Sequence, residues 1–154
     1  MKPRHHPDPV AAFRAIGRAR IAQSPSALDH DQVRDLGIVY HSAMESLRSG
    51  RGTVADIESV VNVANISLLL CEAGLGEEWI DVVKAGQQAI VRTADRGWAS
   101  QHFVFSGPDY QAVIALLELH DRQLESPDCT DQLVLQAIAE VGRRRRAGQV
   151  MRVA

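Results

Sequence analysis

Few side chains in this chain have the types and spacings that could do chemistry. His41 and Glu45 stand four apart in a segment of helical periodicity, so they share one helix face. Such a pair could share a proton or a metal ion, although its commoner outcome is a plain surface hydrogen bond. His120 falls beside Val113, Leu117 and Leu124, at the edge of an apolar face. A buried histidine shifted toward its neutral form can serve as a base, but no nucleophile stands in a recognisable pattern around it. We expect a core-edge histidine satisfied by a neighbour. His5 and His6 lie in a segment expected to be flexible, and a metal site needs held geometry.

The familiar catalytic signatures do not occur. There is no G-x-G-x-x-G, no Walker loop and no G-x-S-x-G elbow. Glu-x-x-His, Cys-x-x-Cys and His-Glu-x-x-His are also missing, which removes the usual helical di-iron and zinc arrangements. The reading is therefore a non-enzymatic protein, with no cofactor and no metal.

Binding residues are easier to propose. Trp98, His102, Phe103 and Phe105 concentrate aromatic character in one stretch. That stretch either plugs one end of a helical bundle, which we favour, or forms a partner-binding patch, since aromatic side chains anchor interfaces well. The exposure of Trp98 decides between them. The net charge of −2 hides an asymmetry. Lys2, Arg4, Arg14, Arg18 and Arg20 against Asp8 give residues 1–20 a charge of +4, and Arg143, Arg144, Arg145, Arg146 and Arg152 give residues 143–154 a charge of +5, leaving −11 for the body between. Arg14, Arg18, Arg20 and Arg143 to Arg146 are the candidate polyanion contacts. The same cations could instead fold onto the acidic body, or simply cap a solvated helix end. No helix presents Asn, Gln or Arg set for base edges, so nucleic-acid binding through these ends would be non-specific.

The elements that must position these residues read as helices throughout. Thr53 to Gly74 organises the chain: its apolar residues cover most of a helix surface, so it belongs at the centre of a bundle. Thr53 followed by Asp56 resembles a capping box, and Gly74 sits where a left-handed C′ residue belongs. Its roughly 21 residues, at about 1.5 Å each, make a rod of about 31 Å. Two asparagines break the apolar run short of the roughly 20 residues a membrane span needs. Glu58, Asn62, Asn65 and Glu72 fall on one stripe, expected to face solvent; alternatively, Asn62 and Asn65 fix the register of helices or subunits.

Before this helix, Asp8-Pro9 starts a weakly patterned one over Val10 to Ala22, and a second runs from about Asp29 or His30 to Ser49 with Val33, Leu36, Tyr40, Ala43, Met44 and Leu47 on one face. After it, a fourth helix is predicted from about Glu77 to Arg96, stopped by Gly97, with Trp79, Ile80, Val83, Ile90, Val91 and Ala94 inward. An irregular stretch from Trp98 to Ser106 follows. A fifth helix starts at Ser106 or Gly107 and ends at Ser126-Pro127; a sixth spans about Thr130 to Arg145. Cys71 behaves as a small apolar side chain and Cys129 sits in a turn. Two cysteines without a secretion signal suggest a reducing compartment, hence the cytoplasm.

The segments Val33-Arg34-Asp35-Leu36-Gly37-Ile38-Val39-Tyr40-His41, Leu47-Arg48-Ser49-Gly50-Arg51-Gly52-Thr53, Asn65-Ile66 and Gly74-Leu75-Gly76 resemble a group of small uncharacterised helical proteins of bacterial plasmids, prophages and other mobile elements. The resemblance covers residues 30–125. It implies an accessory or regulatory role and carries no activity onto any residue.

The expected architecture is thus all-α: a four-helix core with one flanking helix at each end. Residues 1–8 form a flexible basic N-terminus, 9–146 a single bundle domain, and 147–154 a flexible or docked tail. The expected activity is protein–protein binding, by a homodimer or other homo-oligomer away from any membrane. The alternative is a nucleic-acid-binding accessory protein that uses the basic ends.

Overall fold

The structure, a computed structural model, describes residues 30–149, with side chains from residue 37 onward. The predicted helix over Val10 to Ala22, with Arg14, Arg18 and Arg20, lies outside the described residues, as does the end of the tail. The described chain is all-α: α1 His30–Arg48, α2 Val54–Glu72, α3 Ile80–Ser100, α4 Gly107–Glu125 and α5 Asp131–Arg146. A single turn of 3-10 helix, Glu77–Trp79, leads into α3.

The helix boundaries follow from local chemistry. Thr53 caps α2: its hydroxyl accepts from the Asp56 amide at 3.3 Å, and the Asp56 carboxylate accepts from the Thr53 amide at 2.8 Å. At the other end Gly74 adopts φ +96°. Its amide donates to the Cys71 carbonyl and the Leu75 amide to the Leu70 carbonyl, both at 2.9 Å, which closes a Schellman motif. Ser106 and Thr130 cap α4 and α5 through their hydroxyls.

Helix α2 touches each of the other four. Fourteen of its 19 residues are buried. With a mean hydropathy of 1.5 it is long and apolar enough to cross a membrane, but 78% of that window is buried inside the bundle. Around it, α1 contributes Tyr40, Ala43, Met44 and Leu47, α4 contributes Val113, Leu116, Leu117 and Leu124, and α5 packs Val134, Ala137, Ile138 and Val141.

Helix α3 differs from expectation in two ways. It runs past Gly97 to Ser100 and ends on Gln101 at φ +58°. Gly97 is a packing residue: a Cβ there would lie 2.1 Å from Phe103 Cδ1, so only glycine lets that ring lie on the helix. Trp98 consequently belongs to the helix and not to an irregular stretch. The face of α3 is also rotated. Val83, Ile90 and Ala94 are buried, whereas Trp79 is 49% and Val91 37% exposed, against the predicted inward placement of both. Gly86 lies against Leu116, leaving no room for a Cβ (2.5 Å), so α3 and α4 approach closely at this point. That close approach sets which side of α3 turns inward.

The stripe on α2 also corrects the sequence reading. Glu58 and Glu72 are exposed, but Asn62 and Asn65 are 5% and 1% exposed. Buried amides need partners. Arg145 Nη2 donates to Asn62 Oδ1, and Gln87 Nε2 donates to Asn65 Oδ1 at 3.2 Å. The asparagines thus tie α2 to α5 and to α3.

Candidate functional site

The aromatic stretch divides into two pairs. Phe103 and Phe105 are both 8% exposed and belong to the hydrophobic core. Phe103 forms an isolated antiparallel bridge with Gly52, and the Phe105 amide donates to the Leu47 carbonyl at 3.1 Å. These bonds strap the α3–α4 connection to the α1–α2 turn and close one end of the bundle. The two phenylalanines, candidates above for either a plug or a partner patch, have their rings in the chain's own core. Trp98 and His102 remain at the surface. Trp98 meets Phe103 edge-to-face with centroids 5.3 Å apart and keeps 39% of its area exposed. The His102 ring lies above Gly50, whose Cβ, if present, would be 3.3 Å from Nε2.

The arginine run at the end of α5 is largely engaged with acidic and amide groups of the body. Arg143 makes two bonds to Glu140, at 2.7 and 2.8 Å. Arg144 reaches Glu140 at 2.9 Å and Glu72, on α2, at 2.8 and 3.2 Å. Hydrogen bonds from Arg143 and Arg144 pull the Glu140 pKa down to about 2. Arg145 is held by Asn62. Arg146 is exposed and makes no ion pair among the described residues. Of the four candidate polyanion contacts on this helix, Arg144 and Arg145 therefore also join α5 to α2.

The histidine chemistry is rearranged. Glu45 pairs with Arg48, at 2.7 Å to both Nε and Nη2. His41 Nε2 instead meets Asp121 Oδ2 at 2.9 Å, bridging α1 and α4. His120 is fully buried, not at the core edge, and stands edge-to-face with Tyr40 at 5.7 Å. Burial pulls its pKa down to about 4, so the ring is neutral near pH 7. Among the described residues no three His, Cys, Asp or Glu side chains converge as a metal site.

Two polar clusters carry more structure than their sequence suggests. Gln123, buried on α4, accepts from the Ser67 hydroxyl at 2.7 Å and donates to the Leu75 carbonyl at 2.8 Å, with further contacts to the Ser67 carbonyl and Cys71 Sγ. Asp109, in the first turn of α4, receives two guanidinium groups from α3. Arg92 Nη2 lies 2.8 Å from Oδ1 and Arg96 Nη2 2.8 Å from Oδ2. Burial pushes the Asp109 carboxyl up, but hydrogen bonds from Arg92, Arg96 and Ser106 outweigh it and hold the pKa below its usual value. Two cations on one buried carboxylate leave a net positive centre. The i, i+4 spacing of Arg92 and Arg96 was visible in the sequence; their convergence on Asp109 depends on how α3 and α4 pack.

Arg92 also borders an open groove of about 420 Å³, lined by Lys84, Gln87, Gln88, Val91 and Arg92. These residues recur every three or four positions on the outward side of α3. Trp98 continues the same side seven residues beyond Val91. This outward strip is the candidate functional site. Compared with protein-family models, curated proteins and solved structures, the chain matches none of them.

Proposed function

We propose that this protein is a non-enzymatic interaction module that acts by binding another protein, as a homo-oligomer in the cytoplasm, and serves as an accessory factor of a bacterial mobile element. The observation that carries the binding role is the exposed apolar area. Trp79, Val91 and Trp98 keep 49%, 37% and 39% of their surface exposed, all on α3 or the turn leading into it. Among the described residues the other large apolar side chains, Ile38 excepted, are buried or partly buried. Exposed tryptophans, one on α3 and one on the turn leading into it, are the kind of side chain that anchors a partner. The mobile-element role rests on the sequence resemblance alone.

A second reading, nucleic-acid binding, is favoured by one observation: Arg146, at the end of a basic helix, is exposed and makes no ion pair among the described residues. It predicts affinity that falls steeply with salt. Sedimentation velocity of the full chain, with anisotropy of a fluorescein-labelled DNA duplex at low and near-physiological salt, separates the two. Self-association without salt-sensitive DNA binding supports the interaction module. A monomer whose DNA binding is lost in the double variant Arg143→Ala, Arg146→Ala overturns it in favour of the second reading.

A further inference from the structure

We propose that the outward strip of α3, from Lys84 to Trp98, docks an acidic amphipathic helix of a partner protein, with carboxylates over Lys84 and Arg92 and an apolar side chain on Val91. The inference rests on the interaction-module reading and names the chemistry of the partner.

Charge is the first argument. Lys84 is exposed and has no ion-pair partner among the described residues. Arg92 uses one edge of its guanidinium on Asp109, Arg96 uses Nη2 on Asp109 and Thr93, and their side chains remain 54% and 45% exposed. Arg92 Nη1 makes no hydrogen bond among the described residues, since Arg92 uses Nε and Nη2 on Asp109. A guanidinium pinned by a buried carboxylate loses less rotamer freedom when a second anion arrives. The positive centre is thus preorganised for a carboxylate.

Spacing is the second argument. Lys84 and Arg92 are eight residues apart on one helix, about 12 Å along its axis. Carboxylates two turns apart on a facing helix span nearly the same distance. Between the cations lie Val91 and the amides of Gln87 and Gln88, and Trp98 extends the apolar part. Gln87 is already oriented by its bond to Asn65.

The composition of the strip distinguishes the partner class. Asp95 is exposed between Val91 and Trp98. A continuous phosphate backbone laid along the strip would meet that carboxylate and two apolar side chains. A second copy of this chain fits less well. An antiparallel two-fold contact centred on Val91 would bring the two Arg92 side chains together and offer only Asp81 and Asp95 as anions.

The test is to pan a displayed library of helix-forming random peptides against the full chain. Binding of the selected peptides is then measured to wild type and to Lys84→Glu, Val91→Ser and Arg122→Glu, all at exposed side chains, the last a control cation on α4. The expected result is peptides with carboxylates two turns apart flanking an apolar residue, weakened at least tenfold by the first two substitutions and unchanged by the third. Peptides that bind but ignore Lys84→Glu and Val91→Ser overturn the docking strip while leaving the interaction module standing. No selected peptide, together with a labelled single-stranded DNA probe whose affinity falls in Lys84→Glu, overturns both. Neither peptide nor DNA binding also overturns the strip.

Discussion

Lowering the pH should destabilise this protein first through His120. The imidazole is fully buried against Tyr40, and its pKa is pulled from the ordinary 6.5 to about 4. The unfolded chain therefore binds this proton more readily than the folded one. Because the folded pKa is depressed, the stability is complete above pH 6.5 and is lost as the pH falls toward about 4. At ~1.36 kcal/mol per unit, the loss is roughly 2 kcal/mol by about pH 5 and about 3 kcal/mol by about pH 4. Asp109 and Glu140 are held low by their arginines, so their contributions begin to fade only as the pH enters the ordinary carboxylate range, at the lower end of the histidine window, and continue to fade below it. The assay is urea denaturation followed by tryptophan fluorescence, from neutral pH down to about 4, on wild type and His120→Leu. The wild type should lose stability through the histidine window and the variant should be nearly flat there. An NMR titration of the wild-type His120 ring gives an independent reading if the variant fails to fold. A ring that protonates at or above pH 6 in the folded state would refute the reasoning.

Other perturbations test the packing directly. Gly97→Ala should cost about 1–3 kcal/mol, because its Cβ would strike the Phe103 ring; a red shift of Trp98 emission would report loss of the edge-to-face contact, and unchanged stability would contradict the packing role. Gln123→Leu should cost roughly 1–3 kcal/mol by leaving the buried Ser67 hydroxyl and the Leu75 carbonyl without their partner; thermal unfolding measures the loss, and hydrogen exchange should rise first at the α2 C-terminus. Asp109→Asn should cost about 1–2 kcal/mol, since the carboxylate is buried but its arginines are half exposed and screened, and high salt should shrink the difference from wild type. Arg144→Ala should cost under about 1 kcal/mol, because Glu72 and the guanidinium are partly solvated; a larger loss in chemical denaturation would mean that α5 is held chiefly by this pair.

The sequence by itself determined the helical class and most of the helix ends. The Thr53–Asp56 capping box, the left-handed Gly74 and the serine and threonine caps act within one turn, so neighbours along the chain suffice to set them. The apolar character of α2 likewise required burial on all sides, wherever its partners came from. Only the tertiary structure decided the orientation of α3. Gly97 reads as a stop signal until Phe103, brought back by the strap to Gly52, is seen to need its missing Cβ. Trp79 and Val91 read as core until the close contact of Gly86 with Leu116 fixes the helix rotation and turns them out. The fates of Asn62 and Asn65, of the arginine run, and of the Arg92–Arg96–Asp109 centre depend on partners 17 to 83 residues away. Periodicity gives each helix an inward and an outward side, but pairing between distant side chains depends on how those sides meet in space. The candidate site lies on the side of α3 that sequence periodicity placed least well, and so it became visible only once the bundle had formed.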